Sequence, residues 1–132
     1  MYSETLLDHF RNPRNVGELA PPALMVEVMN PACGDILRLS AIFADDRVIQ
    51  VRYKVRGCTA AIAAGSALTE WMQGRSRAEL RGLRASDIEA GVAGLPPASQ
   101  HAAALCVDGV RKLLGHAGPC GGHSGHSGPF GV

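Results

Sequence analysis

The sequence has few aromatic residues, no excess of charge of either sign and no long apolar run. Only 5% of its 132 residues are Phe, Trp or Tyr, and 13 Lys and Arg oppose 12 Asp and Glu, for a net charge of +1. This balance gives no basic field that would favour nucleic acid. The apolar stretches also break well before the ~18 residues that a membrane helix needs. We therefore expect neither nucleic acid nor a membrane as a partner.

The start of the sequence predicts no secretory signal. The opening residues, MYSE, carry an acid early, and no basic stretch followed by an apolar one is present. A hydrophobic share of 46% with 19% charged residues excludes a chain that is disordered throughout. The length suits one compact domain. These features predict a cytoplasmic protein.

The sequence has four cysteines, and no two of them form a C-x-x-C pair. In a reducing compartment we expect thiols, metal ligands or sulfur carriers rather than disulfides. Each of the first two cysteines, Cys33 and Cys58, adjoins glycine, which lets the backbone turn and lets another group come close. Thiols on such turns are predicted to be accessible, unlike a cysteine packed within a helix.

The apolar periodicity predicts one helix, three strands and then further helices. The first helix has Ser3 as its N-cap and stops before Pro13. The predicted strands are 24–29, 36–43 and 48–55, and Asp45-Asp46 forms a tight turn between the last two. This order predicts an α+β fold, with a small three-stranded antiparallel sheet packed against helices in two layers.

Beyond residue 59 the pattern is helical up to the end of the predicted domain. A long helix ends near Gly74, short helices cover 77–81 and 86–90, and a final helix covers 98–114. We expect residues 1–114 to form the domain. Of the 18 residues in 115–132, hereafter the tail, seven are Gly and three are His, which predicts a flexible segment.

Residues with metal-binding chemistry lie at element ends in three separate segments. Cys33 and Asp35 end the first strand connection, Cys58 begins the long helix, and His101 lies near the start of the last helix. Thiolate, carboxylate and imidazole together can bind zinc or iron. The helix N-terminus at Cys58 is expected to favour thiolate over thiol. The spacing alone is also compatible with surface thiols that share no metal site.

Four segments resemble, in order, motifs of the IscU/NifU N-terminal family of iron–sulfur cluster assembly scaffolds. They read DHFRNPRNVG at 8–17, NPACGD at 30–35, GCTAAIA continuing to LTEW and a glycine at 57–74, and LPP with a histidine at 95–101. The resemblance implies a scaffold rather than an enzyme. Such a protein receives iron, and sulfur as persulfide from a cysteine desulfurase, builds a [2Fe-2S] cluster and passes it to apo iron–sulfur proteins.

The resemblance also implies roles for individual residues. Cys33 and Cys58 would be ligands of the cluster, or of zinc in the cluster-free form. Asp35 would be the labile oxygen ligand, and His101 the alternative fourth ligand. A donor site of this kind needs ligands that assemble a cluster and still surrender it.

The sequence departs from the family pattern directly after His101, where Ala102 replaces a cysteine. Cys106, one helical turn further on, could stand in as a metal ligand. Alternatively, Cys106 is a core residue. This interpretation is favoured because Cys106 shares the apolar side of the helix with Val107 and Val110. Ser99 departs from the family's chaperone-recognition segment and weakens the expectation of an Hsp70-type chaperone. In the tail, Cys120, His123 and His126 could bind a metal loosely or could simply be solvated.

Three functions stay open at this point. The first is the cluster scaffold, the second is a zinc-binding sulfur acceptor that works with a desulfurase, and the third is a degenerate paralogue that only binds partners. A cysteine hydrolase is disfavoured because the thiols lack an evident His and Asn or Asp pattern.

Overall fold

A computed structural model of the protein describes residues 2–115, and the predicted order of elements is confirmed. The flexible tail stays a prediction, because the tail beyond Gly115 lies outside the described residues. The elements are helix α1 (Glu4–Arg11), strands β1 (Leu24–Met29), β2 (Ile36–Ala44) and β3 (Arg47–Arg56), and helices α2 (Thr59–Met72), α3 (Arg77–Arg81), α4 (Ala85–Gly91) and α5 (His101–Gly115).

The three strands form one antiparallel sheet in the order β1-β2-β3. Asp45 and Asp46 join β2 to β3 with φ angles of 52° and 65°, which match the left-handed pair of a two-residue hairpin turn. Met29 pairs with Ile36, and Ile36 pairs with Arg56. The end of β1, the start of β2 and the end of β3 therefore lie side by side at one end of the sheet.

Helices α2 and α5 cover one face of the sheet and enclose the hydrophobic core. Tyr53 of β3 is 1% exposed, and its hydroxyl donates a hydrogen bond to the carbonyl of Ile62 at 2.7 Å. Its ring packs on Gly65 of α2 so closely that a Cβ at Gly65 would lie 2.4 Å from Cε2 of the ring. The approach of α2 to the sheet therefore depends on a residue without a side chain.

The last helix begins later than the predicted 98–114. A 3-10 turn covers Pro97–Ser99, and α5 starts at His101. The N–H of Ser99 bonds to the carbonyl of Pro96 at 2.8 Å, so the proline-rich segment closes a tighter turn before the α-helix begins. His101 is consequently the first residue of α5.

Helix α1 packs on α2 through His9, which is 5% exposed. Its Nδ1 lies 2.7 Å from the hydroxyl of Ser66, and its Nε2 lies 3.7 Å from a carboxylate oxygen of Glu70. Burial lowers the pKa of His9 below its usual value, and the charge of Arg14 lowers it further. His9 is therefore a structural residue that is buried in its neutral form.

The free energy of unfolding should fall as the pH drops below the ordinary histidine pKa. The unfolded chain then binds a proton at His9 that the folded chain does not yet accept, and the loss is complete once the pH has passed the lowered folded pKa. Urea unfolding between about pH 5 and pH 7.5 would measure this slope. His9→Asn, which retains a polar group near the Nδ1 position, should flatten it, and an equally steep slope in that variant would contradict the assignment.

Candidate metal centre

The connection between β1 and β2 presents one thiol and one carboxylate at the shared end of the sheet. The N–H of Gly34 bonds to the carbonyl of Asn30 at 2.7 Å, and the N–H of Asn30 bonds to the carbonyl of Asp35 at 2.9 Å. Gly34 has a φ of 81°, which few other residues adopt. This turn leaves Cys33 exposed and places Asp35, 7% exposed, directly before β2.

Helix termini supply the other two side chains. Cys58 is the N-cap of α2, two residues after β3 ends, and is half-buried. His101 opens α5, which crosses the sheet close to β1 and β2. The two helices thus point their N-terminal ends at the same end of the sheet.

The predicted residues Cys33, Asp35, Cys58 and His101 lie together. The Cys58 thiol donates a hydrogen bond to Oδ2 of Asp35 at 3.4 Å, and its Sγ is 3.9 Å from Nε2 of His101. That same Nε2 lies 3.6 Å from Oδ2 of Asp35. Ligand atoms of Cys33, Asp35 and His101 all lie within 4.8 Å of one another. The carboxylate of Asp35 and the imidazole of His101 therefore lie close to both thiols and link Cys33 to Cys58.

The helix N-terminus at Cys58 is present, but the expected preference for thiolate is wrong. Burial raises the pKa of the Cys58 thiol, and the hydrogen bond and negative charge of Asp35 raise it further. Backbone N–H groups of Ala61 and Ala60 oppose this rise and do not reverse it. A metal that binds Cys58 must therefore displace a proton, so its affinity will depend on pH.

Gly57 contributes to the centre in a way that the sequence only partly indicated. Glycine beside a cysteine suggested either a free turn or a close approach. The φ of Gly57 is not left-handed, whereas a Cβ there would lie 2.5 Å from Cγ of Asp35. Close approach of the carboxylate, rather than backbone freedom, is what requires glycine at this position.

Cys106 lies in the hydrophobic core rather than beside the four donors. It is 1% exposed, and burial raises the pKa of its thiol to about 12. Ala102 is fully buried, so the place of the family's third cysteine also faces the core. The burial favours the interpretation of Cys106 as a core residue over that of a metal ligand.

Cys106→Ala should lower the apo stability by about 1 kcal/mol and leave the metal content unchanged. The change removes one buried sulfur from a packed helix face, which is a small core truncation. Thermal unfolding of the apo protein and metal stoichiometry would measure the two effects. A variant that kept its melting temperature but lost its metal would instead make Cys106 a ligand.

Three further predictions concern other parts of the chain. Ser99 is 8% exposed within the turn before α5, so the residue that departs from the chaperone-recognition pattern is largely covered. The candidate cluster of Cys120, His123 and His126 lies outside the described residues. Among residues 2–115, no helix has both the length and the apolar character to cross a membrane.

Comparison with known sequences supplies relatives over most of the chain. The family model for the NifU-like N terminal domain matches residues 1–115. The iron–sulfur cluster assembly scaffold protein IscU of Escherichia coli (strain K12) is 39% identical over 117 residues, which cover 86% of this chain and 91% of that protein. IscU of Rickettsia prowazekii is 37% identical, with 86% and 88% covered. The bifunctional protein NifU/MnmA of Rubrobacter xylanophilus is 39% identical, but the chain spans only 24% of its length.

Solved structures share the architecture. The N-terminal part of a NifU-like protein from Brucella abortus has a TM-score of 0.59 at 23% identity, over 86% of this chain and 80% of that one. A scaffold protein described for the SUF system of Fervidobacterium islandicum has a TM-score of 0.61 at 20% identity, over 86% and 93%. At these identities the likeness concerns the fold, and it agrees with the antiparallel α+β architecture.

Proposed function

Because this chain belongs to the NifU-like N-terminal domain family, we propose that it is a scaffold on which a [2Fe-2S] cluster is assembled and from which the cluster passes to apo-proteins. It is a carrier in this proposal, and the cluster is its cargo. The observation that supports the proposal most is the convergence of two thiols, one carboxylate and one imidazole from three segments of the chain.

The donor set suits temporary binding of a cluster. Cys33 and Cys58 supply the soft thiolates that iron–sulfur clusters require. Asp35 supplies a hard oxygen ligand that soft iron holds weakly, and His101 supplies a nitrogen that can take its place. Cys33 is exposed, and His101 is 29% exposed at its side chain, so a recipient protein could reach the cluster from this side.

Sulfur would arrive as the persulfide of a cysteine desulfurase. Cys33 is the acceptor in this proposal, since it is the exposed thiol among the described residues and Ala102 cannot take that role. The Cys33 thiolate attacks the outer sulfur of the persulfide, and the desulfurase cysteine leaves as its thiolate. The transferred sulfur then stands beside the other donors of the centre.

A zinc-binding sulfur acceptor is the second candidate, and one observation favours it. Cys33, Asp35 and His101 present one sulfur, one oxygen and one nitrogen within 4.8 Å of one another, and the Cys58 sulfur, 3.9 Å from Nε2 of His101, offers the fourth donor that tetrahedral zinc takes. In that case the protein would hold zinc and receive sulfur from a desulfurase without building a cluster.

Anaerobic reconstitution separates these candidates. The full-length protein is mixed with ferrous iron, L-cysteine and a cysteine desulfurase, a thiol reductant is then added to reduce the transferred sulfur to sulfide, and visible absorption follows cluster formation. We expect a [2Fe-2S] spectrum in the wild type, its loss in Cys33→Ser and Cys58→Ser, and its retention in the matched control Cys106→Ala. Wild-type protein that gains one sulfur on Cys33 by mass spectrometry, retains zinc and develops no cluster spectrum would overturn the scaffold proposal in favour of the sulfur acceptor.

A further inference from the structure

The carboxylate of Asp35 packs directly against the backbone of Gly57. A Cβ at Gly57 would lie 2.5 Å from Cγ, 2.7 Å from Oδ1 and 2.9 Å from Oδ2 of Asp35, closer than real Cβ atoms come to their neighbours. All three contacts involve this one carboxyl group. The space that a side chain at position 57 would fill is therefore occupied by Asp35.

Backbone conformation does not explain this glycine. Gly34, in the neighbouring loop, has a φ of 81° and open space around its missing Cβ, so it serves the turn. Gly57 has the opposite character, because its φ lies outside the left-handed region and its missing Cβ is crowded. Alanine would fit the backbone at position 57, and its three nearest contacts would all be with the carboxyl group of Asp35.

The collision would be relieved at the metal centre rather than in the fold. The backbone of Asp35 is held by its hydrogen bond from Asn30 and by the start of β2. Rotation of the Asp35 side chain is the smallest available movement. That rotation takes Oδ2 away from the Cys58 thiol, now at 3.4 Å, and from His101, now at 3.6 Å.

We propose that Gly57 is a positioning residue for Asp35. Because position 57 has no Cβ, the Asp35 carboxylate can lie beside the other ligands and supply an oxygen donor. The inference rests on the proposed function, since it concerns the ligand that makes the cargo exchangeable. Any side chain at position 57 would leave the two sulfurs and the nitrogen in place and displace the oxygen.

A double-mutant cycle with Co²⁺ as the probe tests this proposal on the full-length chain. Co²⁺ affinity and the visible absorption of the bound ion are measured for wild type, Gly57→Ala, Asp35→Ala and the double variant. We expect Gly57→Ala to weaken binding by about tenfold, the lower end for changes in groups that orient ligands. Gly57→Ala should shift the spectrum in the same way as Asp35→Ala. In the Asp35→Ala background it should change neither the Co²⁺ affinity nor the spectrum any further.

Gly82→Ala is the matched control, because its Cβ would meet its nearest neighbour, the carbonyl of Glu79, at an ordinary 3.5 Å. Wild-type affinity in Gly57→Ala, or additive effects in the double variant, would overturn the proposal. If Gly57→Ala lowers the apo melting temperature, the double variant should restore it, and a failure to restore it would also overturn the proposal. A wild-type chain that binds Co²⁺ but assembles no cluster would instead count against the scaffold function alone.

Discussion

Replacement of Asp35 by alanine should give a cluster that resists a chelator on the order of tenfold longer than the wild-type cluster, which corresponds to about 1.4 kcal/mol in the barrier to release. A carboxylate oxygen is the hardest and most weakly held of the four donors on iron–sulfur. Its removal leaves that coordination position to His101, whose Nε2 already lies 3.6 Å from the carboxylate. Bleaching of the reconstituted cluster under a fixed excess of chelator would measure the lifetime.

Asp108→Ala is the control for this experiment, because Asp108 is an exposed carboxylate on α5 outside the centre. It should bleach at the wild-type rate. Equal or faster loss of the cluster from Asp35→Ala would remove the assignment of Asp35 as the labile ligand.

Substitution of Gly65 by alanine should lower the free energy of unfolding by about 2 kcal/mol. Alanine is the better helix former by about 1 kcal/mol, so propensity alone predicts the opposite sign. The new Cβ would, however, lie 2.4 Å from the ring of Tyr53, which is 1% exposed and anchored through its hydroxyl. Overpacking of this kind costs about 3 kcal/mol at the upper end of its usual range, so the clash outweighs the propensity. Urea unfolding of the apo protein would measure the difference.

Gly109→Ala is a matched helical comparison on α5. Its Cβ would meet Cδ2 of Leu37 at 2.7 Å, which is the far end of a flexible aliphatic side chain rather than part of a rigid ring. We expect Gly109→Ala to lower the free energy of unfolding by less than Gly65→Ala does. Replacing Tyr53 by leucine in the Gly65→Ala background should recover part of the loss, and a Gly65→Ala protein as stable as wild type would contradict the packing argument.

The sheet could be predicted from the sequence because its signals are local. Alternating apolar residues predicted the strands, and Asp45-Asp46 predicted the turn. Both turn residues have left-handed backbone in the structure. Once the strands are antiparallel neighbours, the loop at 30–35 and the start of α2 must leave the same end of the sheet. The predicted strand order is therefore enough to place two of the three segments at one end of the sheet, and the family match agrees with the resemblance seen in the motifs.

The remaining features of the centre depended on tertiary packing, which no local sequence pattern encodes. The helix terminus at Cys58 predicted a thiolate, but burial beside Asp35 reversed the direction of the pKa shift. The start of α5 was misplaced because the proline-rich segment forms a 3-10 turn, and this turn decides which residue heads the helix. The reason for glycine at position 57 became visible only when Asp35 was seen to fill its space.

The centre draws its ligands from a loop near the first strand, from the middle of the chain and from the last helix. A bound cluster or ion would therefore tie together parts of the chain that are far apart in sequence, as a cross-link does. Because the unfolded chain cannot assemble this set of ligands, binding stabilises the folded state by mass action. Loading and folding are consequently coupled equilibria. Under the proposed function, the protein would resist unfolding most while it holds a cluster, and it would unfold more easily once the cluster has been transferred.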